Sequence, residues 1–245
     1  MTGRLRKMTH VPWNEVSVTG GFWKQRQEVI CSHTLPAIYN QCRVTGRLDS
    51  IKCVYKPGGE APRPHHYWDS DVAKWIEAAA FSLINEPNPD IEETIDSTVD
   101  DFEKLQLNDG YMNTYFTVVE PGKRFTNIYQ MHELYCAGHL IEAAVAYFQA
   151  TGKRKFLEIM CRYVDYIDSV FGPEEGKIHG YPGHQEIELA LVKLYHVTGC
   201  KRYLDLSGYF LDERGKKPYF FETEAIEHGR DLEDVRNPDG GPLGI

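Results

Sequence analysis

The chain has 245 residues, 42% of them hydrophobic and 26% charged, with a formal net charge of −9. That length and balance suit one large globular domain and exclude a disordered chain. The acidic balance excludes a nucleic-acid backbone as partner, because phosphate binding needs clustered Lys and Arg, and the basic clusters Arg4–Lys7 and Lys153–Lys155 are short.

In chain order, the opening Met1-Thr2-Gly3-Arg4-Leu5-Arg6-Lys7 has no apolar run after its charges, so it does not read as a secretory signal. No later run approaches the roughly 18 apolar residues of a membrane span. The expectation is therefore a cytoplasmic chain without a membrane partner. A helix is predicted from Phe22 to about Val44, with Pro36 as a kink or break. A loop rich in Pro, Gly and His follows from Cys53 to Tyr67. Trp68-Asp69-Ser70-Asp71 then opens a helix to about Ile84, with either Asp69 or Ser70 as its cap.

Pro87-Asn88-Pro89-Asp90 breaks that helix, and Asp90 is expected to cap the next, which runs to about Leu107. Asn108-Asp109-Gly110 ends it. Tyr111 to Phe125 is β-branched and aromatic and reads as a short strand or an extended loop. Helices are expected at about 129–150, 153–170, 184–198 and 200–214, with Gly-rich loops between. After Gly215 the periodicity fades, and Asn237 to Ile245 reads as a tail.

The region from His132 to Gly199 contains one unit twice. Ile141-Glu142-Ala143-Ala144, Thr151-Gly152 and Phe156-Leu157-Glu158 return as Ile187-Glu188-Leu189-Ala190, Thr198-Gly199 and Tyr203-Leu204-Asp205. The Thr-Gly pairs lie 47 residues apart and the Ile-Glu pairs 46. Ile76-Glu77-Ala78-Ala79 and Thr45-Gly46 are weaker echoes. A Gly stop between paired apolar runs at this period means stacked helical hairpins. The predicted class is all-α, an α/α toroid or solenoid with about seven or eight helices.

On the helix after His132, turning about 100° per residue, Leu134, Ala137, Ile141, Ala144, Val145 and Phe148 form a core stripe. The opposite face carries His132, Tyr135, Cys136, His139 and Ala143, with Glu142 at its edge. A solvated face would carry Lys, Glu and Gln. This one suits a half-buried cavity that offers hydrogen bonds to a polar ligand. His184 follows Gly180-Tyr181-Pro182-Gly183 at a helix start, where a loop can project it from a rigid mount; Glu186 or Glu188 could hold its ring. His65-His66-Tyr67-Trp68-Asp69 places aromatic surface beside a carboxylate, which suits a sugar. His132-Glu133 is not a zinc-protease signature, because the next histidine lies seven residues on. The six cysteines form no Cys-x-x-Cys pair and read as buried thiols, so no metal site is expected in this chain. Serine-elbow, phosphate-loop and dinucleotide motifs are absent.

Four stretches carry a resemblance to a known family: Asp69 to Ala79 (DSDVAKWIEAA), Asp109 to Tyr115 (DGYMNTY), His132 to Ala144 (HELYCAGHLIEAA) and Gly183 to Leu191 (GHQEIELAL). They resemble glycoside hydrolase family 127, whose best-known activity is β-L-arabinofuranosidase, over roughly residues 15–220. The resemblance implies an (α/α)6 barrel followed by β-sandwich domains. It also implies retaining hydrolysis of terminal L-arabinofuranosides by a cysteine nucleophile in a zinc site of three cysteines and a glutamate, with a second glutamate as acid/base. Histidines matching His132 and His184 are implied to hold sugar hydroxyls; Tyr135, His139 and Asp69 complete the expected substrate-binding set.

This sequence departs from the family pattern in its cysteines, none of which matches the nucleophile or zinc motifs. The expectation is therefore the N-terminal part of a glycosidase: residues 1–21 as a leading segment, 22–220 as a partial barrel, and 221–245 as an irregular tail. Its nucleophile, acid/base and zinc are expected beyond residue 245. Its expected partner is an L-arabinofuranoside or related plant oligosaccharide, with self-association through an uncovered helix layer. A stand-alone sugar- or partner-binding solenoid, and another toroid enzyme such as an epimerase or uronyl hydrolase, are the alternative readings.

Overall fold

A computed structural model describes residues 11–237; the basic cluster Arg4–Lys7 and the tail after Asn237 lie outside the described residues. The helices are α1 (Gly21–Val29), α2 (Leu35–Val44), α3 (Arg47–Ile51), α4 (Trp68–Asn85), α5 (Pro89–Leu105), α6 (Thr114–Val118), α7 (Glu133–Thr151), α8 (Lys155–Val170), α9 (Ile187–Thr198), α10 (Lys201–Glu213) and α11 (Phe220–Glu227). No β-strand occurs among the described residues.

Two rows of helices stack. The inner row is α4, α7 and α9, with α7 packed against both neighbours; α5, α8 and α10 back them from outside. The composition of each helix follows from its row. An outer helix has one solvated side, so α8 buries Phe156, Leu157, Met160, Tyr163, Val164 and Ile167 along a single stripe. An inner helix touches neighbours on most of its circumference, so α7 buries Ala137, Gly138, Ala143 and Ala144 as well as Leu134 and Ile141. Small residues let the helix axes approach. Phe102 of α5 stacks on Phe156 of α8 with centroids 5.6 Å apart, joining the outer row.

The sequence repeat is also a repeat of hydrogen bonds. At the end of α7, Gly152 lies at φ 75° and its N–H donates to Phe148 O at 2.8 Å; at the end of α9, Gly199 lies at φ 70° and donates to Tyr195 O at 2.8 Å. Thr151 Oγ1 donates to Tyr147 O and accepts from Lys153 N, as Thr198 Oγ1 donates to Leu194 O and accepts from Cys200 N. Thr-Gly therefore closes one helix and turns the chain into its outer partner.

Several local expectations are corrected. Ahead of Pro36 the helix widens into a π turn, Ile30–Thr34, instead of breaking; proline lacks the N–H and crowds the carbonyl four residues back. Asp69 and Ser70 do not cap α4: Asp69 lies in its first turn, and Ser70 Oγ donates to Tyr67 O. Asn88, not Asp90, caps α5, with its Oδ1 accepting from the N–H groups of Asp90 and Ile91. The stretch read as strand or loop contains α6, capped by Asn113. The segment read as irregular contains most of α11, whose Phe221 is 2% exposed.

Candidate functional site

The site is built where the loop before α7 meets the loop before α9. His132 precedes α7 in the left-handed region, at φ 59° and ψ 17°, a conformation that non-glycine residues seldom adopt. Three anchors impose it. Buried Glu133 accepts from Tyr111 Oη at 2.6 Å and from the Phe125 N–H at 2.7 Å. Glu224 on α11 accepts from the Ile128 N–H at 2.5 Å. Arg230 reaches Asn127 Oδ1 at 2.6 Å and Glu224 at 2.5 Å. The loop is thereby bolted to the core and to the C-terminal segment.

His132 Nδ1 lies 2.5 Å from Gln130 O. A carbonyl only accepts, so Nδ1 carries the proton and Nε2 presents a lone pair. That Nε2 lies 3.1 Å from His184 Nε2, which must donate. Burial, with His184, His65 and Lys74 adding, lowers the His132 pKa against the pull of the Gln130 hydrogen bond. His66, its ring centroid 4.8 Å from that of His132, is brought to about 4 by burial and by the nearby His65 and His132. The His132 and His66 imidazoles are neutral near pH 7 and offer hydrogen bonds rather than charge.

Tyr135, one turn into α7, forms the floor. Its ring stands edge-on to His132 at 5.4 Å and to His139 at 4.5 Å, and lies 5.2 Å from that of His184. Lys74 of α4 donates to its hydroxyl at 2.7 Å. The phenol oxygen accepts from the ammonium, which leaves its own proton for a ligand.

Four of the five expected site residues, His132, His184, Tyr135 and His139, therefore come together. Asp69 is placed differently. It is 3% exposed, and its two oxygens accept from the Thr114 N–H, at 2.8 Å, and from Thr114 Oγ1. It fastens α6 to α4. Neither Glu186 nor Glu188 holds the His184 ring: Glu186 Oε1 lies 3.1 Å from His139 Nδ1, and Glu188 pairs with Arg214 at 3.2 Å. Cys136 is fully buried, its thiol 3.5 Å from His66 O. His66 and Lys74 enter the site without having been singled out as ligands. Lys74 lies within the 69–79 motif, one turn after Ser70, and that spacing was its available signal.

Behind Tyr135 lies a charged cluster. His139, Glu142 and Glu186 present ligand atoms within 4.8 Å of one another, the one such grouping of three among the described residues. Lys193 of α9 already places its ammonium on Glu142 and lies 3.8 Å from Glu77. Burial pushes Glu186 up to about 8, reinforced by the Glu142 carboxyl. Burial opposes ionisation of Glu142 as well, but hydrogen bonds with His139, Glu186 and Lys193 prevail and bring it to about 2. Glu186 thus keeps its proton near neutral pH while Glu142 is ionised. The zinc set of three cysteines and a glutamate is not assembled here: no cysteine enters a group of three ligands among the described residues.

Residues 15–237 match the family model described as beta-L-arabinofuranosidase, GH127 catalytic domain. A non-reducing end beta-L-arabinofuranosidase of Bifidobacterium longum subsp. longum is 40% identical over 234 residues, covering 85% of this chain and 35% of that protein. The crystal structure of a GH127 beta-L-arabinofuranosidase from Geobacillus stearothermophilus T6 superposes with a TM-score of 0.85 at 44% identity, over 92% of this chain and 36% of that one. A GH127 beta-arabinofuranosidase superposes with a TM-score of 0.79 at 34% identity, over 95% of this chain and 36% of that one. The chain spans about a third of the length of these relatives.

Proposed function

The chain belongs to the GH127 catalytic-domain family, and from that premise we propose that it supplies the sugar-holding wall of a retaining β-L-arabinofuranosidase acting on plant-type glycans. The observation that carries this reading is the facing pair His132 and His184, at 3.1 Å over the Tyr135 ring. A sugar hydroxyl is both donor and acceptor. It donates to His132 Nε2, accepts from His184 Nε2–H, and replaces their direct contact without leaving either nitrogen unpaired. Tyr135 offers apolar ring surface to the sugar's C–H groups and a hydroxyl proton to its oxygens. His139 supports Tyr135 from behind, and Asp69 acts at one remove through Thr114.

Bond cleavage is assigned outside these residues. In the family, zinc holds a cysteine thiolate ready for attack, and the cysteines described here do not gather into such a set. The partial-barrel assignment for 22–220 belongs to the same proposal. So does self-association: Ile38 on α2, Phe81 on α4 and Leu189 on α9 are 44%, 40% and 53% exposed, which leaves apolar surface on three helices.

The test is titration of the purified 245-residue chain with methyl β-L-arabinofuranoside at millimolar concentration, read through its histidine imidazole signals. The expected result is saturable shifts of His132 and His184, lost in His132→Ala and His184→Ala, with no hydrolysis. Absence of those shifts overturns the sugar-wall assignment. Measurable turnover by this chain overturns the placement of the chemistry elsewhere.

A further inference from the structure

The segment that carries His184 is seated from two sides by glycines. Gly183 lies against the Tyr129 carbonyl so tightly that a Cβ there would overlap it. On the other side, a Cβ on Gly138 of α7 would stand 2.7 Å from Glu186 Cγ and 3.0 Å from Ile187 N. Between the two, the Glu186 N–H donates to His184 O at 3.0 Å, so the glutamate and the histidine move as one short turn. The fit of this turn against α7 fixes where the imidazole points.

Shape alone does not hold the turn there. Glu186 points into a space already occupied by Glu142 and His139 of α7, Glu77 of α4 and Lys193 of α9. Three carboxyls against one ammonium would repel each other if all were ionised. A proton kept on Glu186 relieves that repulsion. The His139 Nδ1 at 3.1 Å from Glu186 Oε1, and 3.5 Å from Glu142 Oε2, then meets both partners at once. Neither His139 Nδ1 nor Glu186 Oε1 has an aligned hydrogen bond among the described residues. Their contact is therefore one of close packing at 3.1 Å, and it depends on Glu186 staying beside Glu142.

We propose that Glu186 is a positioning residue: packed over Gly138 and resting on His139 beside Glu142, it latches the 183–187 turn onto α7 and keeps His184 against His132. Glu186 itself touches no ligand in this arrangement. Ionisation of Glu186 beside Glu142 opens the latch, and the first contact to change is His132 Nε2 with His184 Nε2. The consequence for sugar rests on the reading of those histidines as the sugar wall; the latch itself does not.

The experiment is a pH series of long-range proton–nitrogen spectra of the histidine rings in the 245-residue chain, from about pH 6 to about pH 9.5, for the unaltered protein, Glu186→Gln and Glu186→Ala. In the unaltered protein the His132 and His184 Nε2 signals should change together in one step near pH 8, where Glu186 ionises. Glu186→Gln keeps a neutral donor and acceptor, so it should preserve the low-pH spectrum and abolish the step. Glu186→Ala should disturb both signals at every pH. The proposal is overturned if Glu186→Gln retains the step, or if Glu186→Ala leaves the pair as in the unaltered chain. If Glu186→Ala does not fold, the pH profile of Glu186→Gln still decides. These signals need no sugar, so intact imidazole behaviour with no response to arabinoside would overturn the sugar reading and leave the latch standing.

Discussion

Gly138 and Glu186 lie in contact across the α7–α9 interface, with no room for a side chain on the glycine. Two effects compete on substitution. Alanine is favoured over glycine in a helix by about 1 kcal/mol, but its methyl must displace the Glu186 stem and the Ile187 backbone. Overpacking against backbone costs about 1–3 kcal/mol, so Gly138→Ala should lower stability in denaturant unfolding and displace the His184 signals. A variant more stable than the parent would show that the turn yields freely.

The two helix stops should respond alike. Gly152 and Gly199 sit at φ 75° and 70°, and nothing lies within 4 Å of a Cβ on either. Only backbone strain is introduced, worth about 1–2 kcal/mol in the left-handed region. Gly152→Ala and Gly199→Ala should therefore each cost about that much, in equal measure. Unequal losses would mean that the two hairpins are not energetic equivalents despite their matching hydrogen bonds.

Glu133 should make stability fall with rising pH. Burial pushes its carboxyl up to about 8, against the stabilising hydrogen bonds from Tyr111 and Phe125. The folded chain then retains a proton that the unfolded chain releases near the ordinary value of about 4.5. Its contribution is fully present below that value and is lost as pH rises to about 8. Glu186 acts in the same direction, and Glu142, brought to about 2, acts below this window. Glu133→Gln should flatten the pH dependence of the melting temperature in part, and the double change with Glu186→Gln should flatten it further. An unchanged slope in the double variant would contradict both assignments.

His132 holds a left-handed backbone, at φ 59°. Asparagine adopts the same left-handed conformation more readily. His132→Asn should leave stability within about 1 kcal/mol of the parent while abolishing arabinoside-dependent shifts. A large destabilisation would instead make the imidazole a structural support of the loop.

Much of the architecture was legible in the sequence because it is written in local chemistry. Thr151-Gly152 and Thr198-Gly199 specify helix ends through bonds within a few residues, so their spacing revealed the hairpin repeat before any tertiary contact was known. The face bearing His132, Tyr135 and His139 follows from helical periodicity alone, and with it most of one wall of the candidate site. Less legible were features whose partners lie far along the chain. Asp69 looked like a cap for its own helix, and the structure gives its oxygens to Thr114, 45 residues away. Glu188 looked like a partner for His184, and it pairs with Arg214 instead.

The sequence by itself determined that this is a stacked helical-hairpin protein with a histidine- and tyrosine-lined inner face, because helix periodicity and glycine stops are short-range properties of the backbone. Only the tertiary structure decided which histidines meet, and which carboxyls crowd together. Those outcomes depend on the packing of α4, α7 and α9 and on the close approach at Gly138 and Gly183. A distance of 3.1 Å between His132 and His184 goes with loop anchors at Tyr111, Glu224 and Arg230, far along the chain, and no local pattern encodes it.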